Sequence, residues 1–201
     1  MSTRGMKSLL TMLGNEAQKS LQRPAEPRHV MEEFCRAMTV RTGRPIQLLF
    51  RAFPPDILVS GMRLDCGEQS IIVVEEATAP EAQLVILGHE LWHEETGDCG
   101  HHVAGLPAAT RSLAPAQNPD AVDRAVEQIL DSHEVPRDAV LAVAARADSL
   151  DDHERDAETF GLLLGRAVRS WMKGYTQGPV SADTVEGRMH LSLFDRGGRM
   201  L

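Results

Sequence analysis

Basic charge is scarce in this 201-residue chain, where 21 Lys and Arg stand against 29 Asp and Glu for a net charge of −8. A nucleic-acid binder or a polybasic membrane module needs a cationic surface to meet phosphate, so neither class is a first reading. Long apolar runs are missing as well. Spanning a bilayer takes ~20 consecutive apolar residues, and no run approaches that length, nor does one follow Lys7 that would serve as a signal peptide. Cysteine is sparse: Cys35, Cys66 and Cys99 are odd in number and widely spaced, which fits a reducing, cytoplasmic compartment rather than a disulfide framework. Aromatics are few (five Phe, two Trp, one Tyr), so the core must be mostly aliphatic, with nine Met filling gaps. What remains, 42% hydrophobic and 25% charged residues, is the composition of a globular domain with an ordinary core.

Local patterning divides the chain. Residues 1–27 read as a weakly ordered N-terminal segment, with a possible helix over 5–21 cut off by Pro24 and Pro27. A domain over 28–174 follows. It opens on a helix over 29–42 that carries Val30, Phe34, Cys35 and Met38 on one face and stops at Gly43. Three strands are expected next, Ile46–Phe53, Ile57–Leu64 and Ser70–Glu76, with a hairpin turn at Asp65-Cys66-Gly67-Glu68; short loops predict a small antiparallel three-stranded meander. Thr78-Ala79-Pro80-Glu81 has the chemistry of a capping box, so a helix should run from there to about Glu95 and close on Gly97. Residues 98–148 read as an insertion: a Gly/Pro/Ala/Ser-rich connection over 98–118, then helices opened by Asn118-Pro119 and Pro136. A closing helix starts near Asp151 with Ala157, Phe160, Leu164, Ala167, Val168 and Trp171 on one stripe and ends at Gly174. A C-terminal tail, 175–201, has room for an edge strand at Met189–Phe194. The fold class is therefore α+β.

His89-Glu90-Leu91-Trp92-His93 is the segment with sharp chemical content. Histidines at i and i+4 share a helical face with Cβ atoms about 5–6 Å apart, so both imidazoles can reach one ion. Zinc accepts neutral imidazole and lowers the pKa of a water it holds to about 7. Glu90 is turned by ~100° from His89, close enough to take that water's proton without ligating. This is the logic of an HExxH metallopeptidase.

A catalytic zinc site usually has three protein ligands. The position ten residues beyond His89 is Cys99, which fits that spacing poorly. Glu154 is the better candidate, because it heads the buried stripe of the closing helix and a buried carboxylate needs a partner. Glu158, one turn on, can accept the second N–H of a ligating imidazole. His101, His102, His133 and His153 remain alternatives for the third ligand. Trp92 reads as a core or cleft-wall aromatic, and Tyr175, the sole tyrosine, is a phenolic donor only if the fold returns it to the metal.

A strand meander, an apolar run into His89-Glu90-x-x-His93, then Glu154-x-x-Ala157-Glu158-x-Phe160 on a later helix resembles the ImmA/IrrE family of gluzincin-like metallopeptidases. That family's later motif is approximately E-x-x-A-[ND]-x-F-A-x-x-L-L-M-P. Glu154, Ala157, Phe160 and Leu164 match it, whereas Glu158, Gly161, Gly165 and Ala167 depart from it, over a resemblance covering residues 29–172. The interval from His93 to Glu154 is longer than the family's usual one. The resemblance implies a zinc site of His89, His93 and Glu154, with Glu90 as general base. It also implies a protein partner, a helix-turn-helix repressor or antitoxin, whose cleavage regulates transcription. The competing expectation is a zinc protein that binds its repressor without cutting it.

Overall fold

The computed structural model describes residues 3–53, 60–97, 103–104 and 150–175. Helix α1 spans Thr3–Ala17 and turns Met6, Leu9, Leu13 and Ala17 into the core at three- and four-residue spacing. The expectation of a weakly ordered segment over 1–27 is thus corrected for Thr3–Ala17, which packs on the next helix. Helix α1 stops at Ala17, well before Pro24, and Pro27 opens the next helix. The prolines do not cut α1 away from the core, because the connection over 18–26 turns the chain so that the two helices pack side by side.

Helix α2, Pro27–Thr42, buries Val30, Met31, Phe34, Cys35, Ala37 and Met38. It closes as expected on Gly43 at φ 72°, whose N–H reaches the Thr39 carbonyl at 2.8 Å. Strands β1 (Ile46–Arg51), β2 (Gly61–Asp65), β3 (Ser70–Glu75) and the two-residue β4 (Val103–Ala104) form a sheet of order β1-β3-β2-β4. The β2–β3 hairpin is antiparallel with the expected turn, Gly67 at φ 75° donating to Asp65 Oδ1 at 2.8 Å.

The sheet is nonetheless mixed, not a wholly antiparallel meander: β1 runs parallel to β3, with Leu48 opposite Ile72. The interval 52–60 is long enough to cross the end of β3, whereas 66–69 allows only a hairpin. Ile71-Ile72-Val73-Val74 does not alternate, and that is the mark of a central strand covered on both faces. Ile72 and Val74 join the helical core, while Ile71 and Val73 are buried on the opposite face.

Helix α3, Pro80–Thr96, has Ala79 as N-cap with no side-chain bond. Thr78 is not the cap; its hydroxyl donates to the Glu75 carbonyl at 2.9 Å and ties the end of β3 to the helix entrance. Residues Ile86 to Glu94 are buried without interruption, so α3 is enclosed by the sheet, α2 and the last helix. That last helix, α4, spans Leu150–Val168 and buries Ala157, Phe160, Leu164 and Val168. Ala167, which the spacing placed on the same stripe, is exposed. A 3₁₀ turn over Arg169–Trp171 follows, and Gly174 at φ 80° lies in the turn beyond it, not at the helix end. A parallel bridge between Ala25 and Met172 fastens the end of this unit to the α1–α2 connection. The 98–118 connection (bar β4), the helices expected at 118 and 136, and residues 176–201 of the tail lie outside the described residues. Among the described residues, no helix is long and apolar enough to cross a membrane.

Candidate metal centre

Helices α3 and α4 pack antiparallel: Gly165 abuts Val85, Gly161 abuts Gly88, and Glu154 reaches His89 and His93, one and two turns beyond Val85. His89 and His93 sit at i and i+4 with Nε2 atoms 3.1 Å apart. The Glu154 carboxylate lies 3.6 Å from His89 Nε2 and 3.4 Å from His93 Nε2. These three donors form the group able to hold a metal ion among the described residues. His89, Glu90 and His93 are 4%, 0% and 0% exposed.

The donor separations test the fit. Three donors on a tetrahedral ion with bonds of about 2.0–2.1 Å stand about 3.3–3.4 Å apart, while cis donors on an octahedral ion at that bond length are about 2.9–3.0 Å apart. The two imidazole nitrogens stand 3.1 Å apart, between those values, and the carboxylate turns one oxygen towards each, Oε2 at 3.6 Å from His89 and Oε1 at 3.4 Å from His93, so all three side chains can reach one ion. Charge tests it again. Glu90 is enclosed with both carboxylate oxygens lacking a hydrogen-bond partner among the described residues. Burial pushes its carboxyl well above the ordinary carboxylate value; the positive charge of Arg63 opposes this and the negative charge of Glu154 adds to it. Arg63 itself is engaged by Glu94. A carboxylate and two imidazoles that reach one point are a donor set a divalent cation can use, and its charge would favour the ionised form of the enclosed Glu90.

Glu158 follows Glu154 by one turn on α4 and is partly buried. His153 is exposed and is not part of the metal-competent group. Cys99, His101, His102 and His133 lie outside the described residues. Trp92 is a core residue, its ring 5.3 Å from that of Phe160. Tyr175 follows the 3₁₀ turn with the Arg169 guanidinium 5.3 Å from its ring centroid.

Two features went unread in the sequence. The first is a buried polar cluster between sheet and α3. Glu94 accepts from Ser70 Oγ at 2.6 Å and from Arg63 Nη1 at 3.2 Å, with Arg44 Nη1 at 3.7 Å. Arg44 is also bonded to Asp65 and to the Gln69 carbonyl. The cluster joins the residue next to His93 to β2 and β3, fixing how α3 rolls on the sheet. An arginine between Met62 and Leu64 in a strand of buried residues is the signal that could have revealed it, since a buried charge requires a partner. The second is the glycine contact between α3 and α4, whose members Gly161 and Gly165 read only as departures from a motif.

No protein-family model, curated protein or solved structure matches the chain.

Proposed function

We propose that the chain is a zinc-dependent metallopeptidase acting on a partner regulatory protein, with His89, His93 and Glu154 as zinc ligands and Glu90 as general base. The observation that carries this reading is the pairing of three donors able to hold one metal ion with an enclosed carboxylate next in sequence to His89, whose oxygens lack a hydrogen-bond partner among the described residues. Zinc, when bound, supplies a Lewis acid that lowers the pKa of water and polarises a carbonyl. Glu90 accepts the proton of the attacking water and returns it to the leaving amine, one residue serving as base and then acid. His89 and His93 would bind as neutral imidazoles, and the carboxylate of Glu154 would offset part of the ion's charge. Glu158 would orient an imidazole through its second ring nitrogen. The choice of substrate, a helix-turn-helix repressor or antitoxin, rests on the resemblance to the ImmA/IrrE family.

A second reading, a metal-stabilised regulator that binds its partner without cleaving it, is favoured by the near-complete enclosure of Glu90 and both histidines. Glu90→Gln separates the two. It keeps shape but cannot accept a proton, a step typically worth 10²–10⁴-fold. The test pairs a repressor-controlled reporter with an immunoblot of the repressor in the same cells. Under the peptidase reading the variant retains zinc, leaves the repressor intact and gives no induction; full induction with intact repressor would establish the binding reading instead.

A further inference from the structure

We infer that Gly88, Gly161 and Gly165 are positioning residues of the metal centre: they set the α3–α4 separation at which Glu154 completes the ligand set of His89 and His93. The inference rests on the metal reading above and specifies what holds it in register. A Cβ at Gly161 would stand 2.5 Å from the Val85 carbonyl oxygen and 3.2 Å from the His89 backbone nitrogen. A Cβ at Gly88 would stand 2.8 Å from Gly161 Cα and 3.0 Å from Leu164 Cβ. These obstacles are backbone and Cβ atoms, so no side-chain rotation relieves them.

Restoring ordinary contact at Gly161 requires the helices to part by about 0.9 Å, a distance that packed interiors do not absorb. The consequence for the ligands is unequal. His89 and His93 share α3, so their 3.1 Å separation is untouched, whereas the 3.4 and 3.6 Å spans to Glu154 both cross the gap that widens. Glu154 is therefore the ligand withdrawn. The enclosed, uncommitted carboxylate of Glu90 beside the same three donors ties the contact to a ligand-holding site and not to helix packing alone.

The contact at Gly165 differs in kind, and that supplies the test. Its Cβ would meet the far end of a side chain, Val85 Cγ2 at 2.7 Å, with Val85 N and Glu81 O at ordinary distances of 3.8 and 3.9 Å. Val85→Ala should relieve Gly165→Ala but not Gly161→Ala. Gly14 is the control, since its Cβ would meet only Trp171 Cη2 at 3.6 Å.

Zinc affinity by chelator competition, the visible spectrum of the cobalt-substituted chain and the metal-free melting temperature are measured for wild type, Gly14→Ala, Gly161→Ala, Gly165→Ala and both double variants with Val85→Ala. The expected result is a zinc affinity 10–100-fold lower for Gly161→Ala, the range typical of losing a group that orients a ligand, with an altered cobalt spectrum. Gly165→Ala shows a loss that Val85→Ala reverses, and Gly14→Ala binds as wild type. Should Gly161→Ala fail to fold, the Gly165→Ala pair with and without Val85→Ala carries the same comparison. Unchanged zinc affinity and cobalt spectrum with only a lowered melting temperature would overturn the inference and leave the metal site standing. A wild-type chain that takes up no zinc would overturn both, and is seen before any variant is made.

Discussion

Replacing Arg63 by methionine removes one charge from the cluster under α3 and keeps most of the side chain's length. Arg63 and Glu94 both have side chains only 2% exposed, with 3.2 Å between Nη1 and Oε2. Breaking such a pair by deleting one member leaves the other charge buried and typically costs 3–5 kcal/mol. Glu94 keeps the Ser70 hydroxyl at 2.6 Å and Arg44 at 3.7 Å, although Arg44 is already shared with Asp65. The low end, about 3 kcal/mol, is therefore expected, because methionine also leaves little cavity. At about 2–4 °C per kcal/mol for a chain of this size, the melting temperature falls by roughly 6–12 °C. Glu94→Leu together with Arg63→Met removes both charges. It should recover most of that loss, less about 1 kcal/mol for the Ser70 hydroxyl deprived of its acceptor. The assay is thermal and urea unfolding of the metal-free wild type, both single variants and the double, read as a double-mutant cycle. A single variant within about 1 kcal/mol of wild type, or a double variant that costs the full sum of the singles, would refute the reasoning.

Two further outcomes follow from the same structure. In metal-free protein the raised Glu90 carboxyl favours a folded state in which it is protonated, so its contribution is complete below the ordinary value of 4.5 and is lost as pH rises toward the folded-state value. Glu90→Gln should therefore stabilise the metal-free chain progressively more from pH 5 upward; a melting-temperature difference flat between pH 5 and pH 8 contradicts it. Leu13, 1% exposed in α1, should cost about 2–5 kcal/mol when cut to alanine, and unchanged urea unfolding would mean that α1 does not belong to the core.

Helix α3 and its two candidate ligands were legible because their geometry is local. The i, i+4 spacing of His89 and His93 means the same thing wherever the helix lies, and Gly97 closes α3 as its type suggests. Glu154 was legible through its own stripe, since Ala157, Phe160 and Leu164 declare the inward face that it heads. Pairings between distant segments were not. Whether β1 lies beside β2 or β3 depends on a crossing that no local pattern encodes, although the unbroken apolar run of β3 carried a hint. Thr78 had the type of a cap and the wrong backbone position, one residue ahead of the true N-cap. The stripe of Met6, Leu9, Leu13 and Ala17 has helical spacing, but two prolines stand between it and the rest of α2, and no local pattern says that α1 returns to pack there. Gly161 and Gly165 acquire meaning only against Val85 and Gly88, residues of another helix.

The antiparallel contact of α3 with α4 has a consequence for the interval between them. Helix α3 ends at Thr96 and α4 begins at Leu150, and Gly88 against Gly161 holds the two helices together independently of what joins them. For any flexible connection between ends pinned in this way, the entropy of closing it grows only with the logarithm of its length. Doubling or halving it changes the free energy by about 0.6 kcal/mol, less than the loss of one well-buried methyl group. Length in such a connection is a far weaker lever than one methyl added at Gly161, where a Cβ would stand 2.5 Å from the Val85 carbonyl oxygen.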